Sequence, residues 1–338
     1  MIFMSKRILA AACAAATALA LSACSSTPSS EGNATKDGTL TVMASFYPLQ
    51  YLAEKIGGEH VTVTSLTPAG AEPHDLELSP KTVDTLASAD AVVYLAGFQS
   101  AVDEAIEQQA PKTVIDVSPA AELVEANSSA NHPSEDEDEA QSGESATEEH
   151  ADHDHEGHDH EGHHHDMSAD PHFWLDPVRM ASAATLVGDK LAEADPANAG
   201  TYKANAKALN EELSALGDDL VAKTETCQIK TFVTAHTAFG YLADRTGLTQ
   251  VGISGLDPDS SPSPARLAEI GQIAKDQGVT TIFTEALIDP KVAQTLADDL
   301  GISTAVLDPI ESQTDSSKDY AAVMKDNITA LTTANNCQ

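Results

Sequence analysis

The sequence predicts an α/β protein of two lobes, each a parallel-type sheet with flanking helices, joined by a long linking helix. Three observations predict it. Short apolar runs alternate with helical patterns, as parallel sheets with covering helices require. The strand-like runs fall into two sets of four: LTVMAS, VTVTSLT, AVVYLAG and TVIDVS, then KTFVTA, TQVGIS, TTIFTE and STAVLD. Between the sets lies one amphipathic stretch in which Tyr202, Ala206, Leu209, Leu213, Leu216 and Leu220 recur at spacings of four and three.

The chain opens on an export signal. Lys6 and Arg7 precede the apolar run 8–21, which is shorter than the ~20 apolar residues of a spanning helix. The run ends in Leu21-Ser22-Ala23-Cys24, which resembles a bacterial lipobox. That resemblance implies a signal peptide over 1–23 and lipidation of Cys24. Residues 24–37 are polar, with Gly, Ser and Pro, and read as a flexible tether.

The first lobe is assigned to 38–195. Ser79-Pro80 and Asp176-Pro177 mark helix starts, as Ser263-Pro264 and Asp289-Pro290 do later. In each, a capping side chain precedes a proline, which gives up nothing at the first helical position. Inside this lobe, residues 122–170 or so carry no core-forming period and read as a loop disordered without ligand. The linking helix is assigned to 196–225 and the second lobe to 226–338. Cys227 precedes a strand and Cys337 lies near the end of the chain. Outside the cytoplasm the two are expected to form a disulfide that closes most of the second lobe.

Charge narrows the function classes. Lys+Arg number 18 against 53 Asp+Glu, a formal charge of −35. A nucleic-acid partner needs the opposite balance and is excluded. A protein that gathers cations fits. The segment 132–170 alone carries 15 Asp+Glu and no Lys or Arg.

The 13 histidines form two populations. Nine sit in the acidic segment: His132, His150, His153, His155, His158, His160, His163, His164 and His165. Four lie elsewhere: His60, His74, His172 and His236. His74 follows one strand and His236 ends another, so each lobe should present a histidine at the carboxyl edge of its sheet, where ligands of open parallel sheets bind. His172 precedes a helix start. His60 precedes a strand, at the other edge, and reads as structural. Three imidazoles make a borderline-soft nitrogen site that favours Zn2+ with a fourth ligand. Glu285, Asp308 and Glu311, each following a strand of the second lobe, are candidates for that place.

The motifs FYPLQYLAEKIGG, EPHDLELSP, DPHFWLDP, VTAHTAFGYLADRTG, FTEALIDPKVAQTLADDLG and VLDPIE occur in order over 38–336. In these the chain resembles the zinc-type metal-binding receptor lipoproteins (solute-binding proteins) of metal-ion ABC transporters. The resemblance implies two lobes with limited hinge motion and metal ligation in the cleft by His74, His172 and His236. Its carboxylate ligand matches Glu311 best, although some members use water there. It implies a structural place for Glu285. Manganese-type relatives carry carboxylates where His236 and the fourth ligand stand. The acidic segment resembles the charged loop of zinc-type members, with His150 to His165 as secondary, weaker metal sites.

The function expected is therefore a non-catalytic, monomeric, lipid-anchored receptor on the cell surface or in the periplasm. It captures Zn2+ and delivers it to an ABC permease. A receptor for manganese, an extracellular metal buffer and an adhesin remain as alternatives. A zinc hydrolase finds no support, because the chain has no nucleophile motif.

Overall fold

The structure, a computed structural model, describes residues 39–125 and 169–338. The export signal with Cys24, the tether, and the nine histidines from His132 to His165 lie outside the described residues.

In chain order the elements are β1 (Leu40–Ala44), α1 (Tyr47–Gly57), β2 (Val61–Ser65), α2 (Pro80–Leu86), β3 (Ala91–Tyr94), α3 (Ser100–Gln109), β4 (Val114–Asp116) and α4 (Ser118–Ala121). There follow α5 (Pro177–Ala194), α6 (Ala199–Thr224), β5 (Thr231–Thr234), α7 (Gly240–Thr246), β6 (Thr249–Gly252) and α8 (Pro264–Asp276). The chain ends with β7 (Thr281–Thr284), α9 (Lys291–Leu300), β8 (Ser303–Val306) and α10 (Tyr320–Ala334). All eight strand-like runs of the sequence form strands.

The strands make two four-stranded parallel sheets of identical order, β2-β1-β3-β4 and β6-β5-β7-β8. In each, the chain leaves the first strand to one side and later crosses to the other. The winding thus reverses between β1 and β3, and between β5 and β7, which opens a crevice beyond the carboxyl ends of those strands.

Side-chain alternation explains the layers. Along β1, Val42 and Ala44 face one core while Met43 faces another; along β3, Ala91 and Val93 oppose Val92 in the same way. In the second sheet Phe232 and Phe283 face the first core, and their neighbours Val233 and Ile282 face a separate one. Period two therefore gives each sheet an outer core of its own. The two inner faces share a single continuous core through α1, α5, α6 and α10.

Helix α6 is the longest element, 26 residues, or ~39 Å at ~1.5 Å per residue. Its periodic residues Tyr202, Ala206, Leu209, Leu213, Leu216 and Leu220 are all buried. It lies against α5 at close range. A Cβ on Gly188 would stand 2.3 Å from the Ala206 Cβ, and one on Gly217 would stand 2.7 Å from Val178. Trp174, fully buried, sits in the shared core, edge-on to Phe46, and donates from its indole N–H to the Pro309 carbonyl at 2.7 Å. Such a core resists large excursions of one sheet against the other, because packed interiors have few voids to absorb them.

Ser79, Asp176 and Ser263 cap α2, α5 and α8 as the sequence predicts, accepting from Thr82, Val178 and Arg266 N–H. The fourth start differs by one residue. α9 begins after Pro290, and Asp289 accepts from Lys291 N–H at 3.1 Å. Asp289 makes the same two-residue reach as Asp176, but here the proline stands as the flanking residue and Lys291 as the first of the helix. Cys227 and Cys337 are joined in a disulfide that ties the end of the chain to the entry of β5. No helix among the described residues is long and apolar enough to cross a membrane.

Candidate metal centre

Four side chains converge where the carboxyl edges of the two sheets face each other: His74, His172, His236 and Glu311. His74 lies on the connection after β2, and His236 two residues past the end of β5. His172 opens the 3-10 turn Phe173–Leu175 ahead of α5, and Glu311 follows β8. His172 and His236 are 0% exposed, Glu311 1%, and the His74 side chain 5%.

The donor atoms form a compact polyhedron. Glu311 Oε1 stands 3.2 Å from His172 Nε2, 3.3 Å from His74 Nε2 and 3.5 Å from His236 Nε2, and His236 Nε2 stands 3.4 Å from His172 Nε2. A tetrahedron with ~2.05 Å metal–nitrogen bonds has edges of ~3.3 Å. These four of its six edges fit that figure, and all four donor atoms lie within 4.8 Å of one another.

Outer partners fix which ring nitrogen faces inward. His172 donates from Nδ1 to Asp170 Oδ1 at 2.8 Å, and His236 from Nδ1 to Glu285 Oε2 at 2.6 Å. A carboxylate only accepts, so each Nδ1 carries a proton, and each Nε2 faces the centre, where it gives a proton to Glu311 when the ring is charged and offers a lone pair when it is neutral. Bare lone pairs and a carboxylate crowded together in a dry site repel one another unless a cation, proton or metal, sits among them.

The protonation balance shows this. Burial pulls the His74 imidazole below its ordinary value, and the Glu311 hydrogen bond does not offset it. At His172 burial also acts downward, but Asp170 and Glu311 outweigh it and the pKa rises. At His236 burial is likewise opposed, by Glu285 first and then Glu311, and the pKa lies well above the ordinary value. Burial pushes the Glu311 carboxyl up, yet hydrogen bonds from the three histidines hold it well below the usual carboxylate range. Nearby, burial reinforced by the Glu311 charge pushes Glu72 up to about 7.

The three carboxylates left open by the sequence take separate places. Asp308 accepts from Ile310 N–H at 2.8 Å and its backbone is paired with Asn327, so it shapes a turn. Glu285 faces away from the centre, onto His236. Glu311 points in because Ile310, just before it, takes a left-handed φ of 57°. For a buried β-branched residue this is a strained conformation. The Glu311 loop is also tied to the His74 loop, since Gly70 N–H donates to Ser312 Oγ at 2.7 Å. His60 is remote. It lies in the 3-10 turn Gly58–His60 before β2, with its ring 6.2 Å from that of Tyr202.

Sequence reasoning missed Asp170, Glu72 and Phe98. The first two had a signal, an acidic residue followed by Pro and His in both Glu72-Pro73-His74 and Asp170-Pro171-His172. In each the carboxylate accepts from the histidine backbone N–H, at 3.1 Å and 2.9 Å. Phe98, which packs edge-on to His74 with centroids 4.9 Å apart, carried no signal.

Two parallel α/β lobes with their strand ends opposed across a buried site define a two-lobe solute-binding protein. The chain belongs to the family described as zinc-uptake complex component A, periplasmic, whose profile matches residues 42–334. It is 32% identical over 324 residues to the high-affinity zinc uptake system protein ZnuA of Bacillus subtilis, covering 94% of each. It is 35% identical over 301 residues to the zinc-binding protein AdcA of Streptococcus pyogenes, covering 87% of this chain and 56% of that protein. The chain thus spans about half the length of that relative. The Zn(II)-bound ZnuA-like domain of Streptococcus pneumoniae AdcA superposes with a TM-score of 0.68 at 29% identity, covering 88% of this chain and 100% of that one.

Proposed function

We propose that this protein is an extracytoplasmic receptor that captures Zn2+ through His74, His172, His236 and Glu311 and delivers it to an ABC permease. The observation that carries the reading is the approach of Glu311 Oε1 to all three Nε2 atoms and of His236 Nε2 to His172 Nε2, at 3.2 to 3.5 Å, which matches four of the six edges of a tetrahedral zinc site. Three neutral imidazoles favour zinc over manganese, which prefers oxygen donors. Membership of an uptake-complex family supports delivery to a permease. The chain acts as a monomer held to the membrane by a lipid on Cys24. His150 to His165 add secondary, weaker metal sites, their closely spaced imidazoles and carboxylates being able to chelate in many arrangements.

The test is calorimetric titration of the metal-stripped chain with Zn2+, followed by competition with Mn2+. One tight zinc per chain that excess manganese does not displace is expected. Stronger binding of manganese would overturn the assignment of cargo.

A further inference from the structure

We infer that Gln99 and Gln250 are positioning residues of this centre, each fixing the backbone that carries one histidine; the inference rests on the metal-binding reading above. Both glutamines are buried. Neither touches a donor atom, and neither is a feature that the metal chemistry by itself requires.

Gln99 follows β3. Its Nε2 donates to Thr67 Oγ1 and to the Pro73 carbonyl, both at 3.0 Å. Thr67 in turn donates its hydroxyl proton to the Ser45 carbonyl at 2.7 Å. Residues 67 and 73 are the two ends of the segment that leads into His74. One amide therefore spans that segment as a chord and holds the residue next to the histidine.

Gln250 lies in β6. Its Nε2 donates to Thr234 Oγ1 at 2.8 Å and to the His236 carbonyl at 3.1 Å. The Thr234 hydroxyl donates to the same carbonyl at 2.7 Å. His236 is thus held at its carbonyl by Gln250 and Thr234, and at its N–H and Nδ1 by Glu285, at 3.0 and 2.6 Å.

The amide orientations follow from chemistry. A carbonyl oxygen only accepts, and each threonine hydroxyl has already committed its proton. Both glutamines must present the NH2 side to these partners. Each leaves its Oε1 buried with no hydrogen-bond partner among the described residues. A residue serving only to fill space would do so without a buried amide, whose unmet oxygen disfavours the folded state. The donor side is what the site uses. The two glutamines occupy non-equivalent places in the two sheets, one after the third strand and one in the strand paired to the first's outer side. The same device has therefore been built twice, not copied with the strand order.

The experiment compares the whole chain with Gln250→Met, Gln99→Met, His236→Ala, His74→Ala and the double variants Gln250→Met/His236→Ala and Gln99→Met/His74→Ala. Zinc affinity is read by competition with a chromophoric chelator, metal-free melting by circular dichroism, and site geometry by the visible absorption of bound Co2+. Gln250→Met should weaken zinc binding about tenfold, the low end for residues that orient ligands from outside, and change the Co2+ band shape. Its metal-free melting should stay within a few degrees, since the His236 carbonyl keeps its Thr234 partner. In the His236→Ala background the same change should cost no further affinity, because the group being positioned is gone. Gln99→Met leaves the Pro73 carbonyl without a partner and should melt lower, so its effect is read from the cycle with His74→Ala, where it too should vanish. Wild-type zinc binding with unchanged affinity and Co2+ spectrum in Gln250→Met would overturn the inference, as would an equal loss in the His236→Ala background. A wild-type chain that takes up no zinc in the same assay would instead bring down the metal-binding reading and this inference with it.

Discussion

Glu285 grips His236 twice, accepting from its backbone N–H through one oxygen at 3.0 Å and from its ring Nδ1–H through the other at 2.6 Å. The carboxylate thereby sets the rotamer and the tautomer together and leaves Nε2 free to face His172 and Glu311. Asp170 does the same for His172 with a single oxygen, which accepts from both the backbone and the ring. Two of the three imidazoles are thus aimed before any cation arrives.

Glu285→Gln preserves the shape of the grip but replaces a charge-assisted acceptor with a weaker neutral one. Zinc affinity should fall by about 10–100-fold, the usual effect of removing an outer partner of a ligating histidine. A competition titration checks it. An unchanged affinity would mean that Glu285 serves the fold and not the site.

His74→Ala, His172→Ala and His236→Ala should each weaken zinc binding far more than His60→Ala, whose ring packs against Tyr202 outside the cluster. Glu311→Ala should be milder, because water can take a carboxylate's place at zinc. Removing residues 132–165 should leave the tight site in place. Calorimetry on the set decides it, and equal losses at His60 and His74 would contradict the geometry.

The pH dependence contributed by His236 has opposite signs with and without metal. In the metal-free chain His236 has a raised pKa, burial being outweighed by Glu285 and Glu311. Its contribution to stability is fully present below the ordinary value near ~6.5 and is lost as the pH rises through the folded value. Glu311 is depressed, so its contribution is present above the ordinary ~4.3 and is lost as the pH falls through its lower folded value. Zinc requires neutral imidazoles, so binding strengthens as the pH rises and releases protons. The melting increment produced by zinc should therefore grow from about pH 6 to about pH 8. Calorimetry in buffers of different ionisation enthalpy should detect the released protons. Acidification should free the zinc before circular dichroism reports unfolding. Simultaneous loss of both would make the metal structural.

The Cys227–Cys337 bond spans a separation of 110 residues. In the chain-entropy account a loop of this size stabilises the fold by roughly 4–5 kcal/mol. Replacing both cysteines with serine should lower the melting temperature by roughly 10 °C. Zinc affinity at temperatures well below melting should stay the same, because the bond lies at the entry of β5 and the site at its exit. Scanning calorimetry and a zinc titration together test both statements.

Much of this molecule was legible in one dimension because the signals involved are local. Strand runs, the α6 stripe and three of the four proline-marked caps depend on neighbours a few residues away, and those contacts form in any context that lets the element form. His74 and His236 could be placed at strand ends because parallel winding puts their loops on one edge. The fourth cap slipped by a residue because Asp289 and Pro290 suit a turn and a helix start equally well, and only the packing of α9 chooses between them.

The sequence by itself determined the element order, the parallel sheets and the separation of His74, His172 and His236 from the histidines of the acidic segment. Only the tertiary structure decided what the carboxylates do. Asp308, Glu285 and Glu311 all follow strands of the second sheet; Pro309 after Asp308 suits a turn, and only the family resemblance favoured Glu311 as the ligand and gave Glu285 a structural place. Their roles depend on the left-handed turn at Ile310, on Asn327 reaching across from α10 to the Asp308 backbone, and on His236 presenting two donors to Glu285 from 49 residues away. Direction in space is set by such long-range contacts, and a side chain's direction is what makes it a turn former, an orienting partner or a donor at the centre.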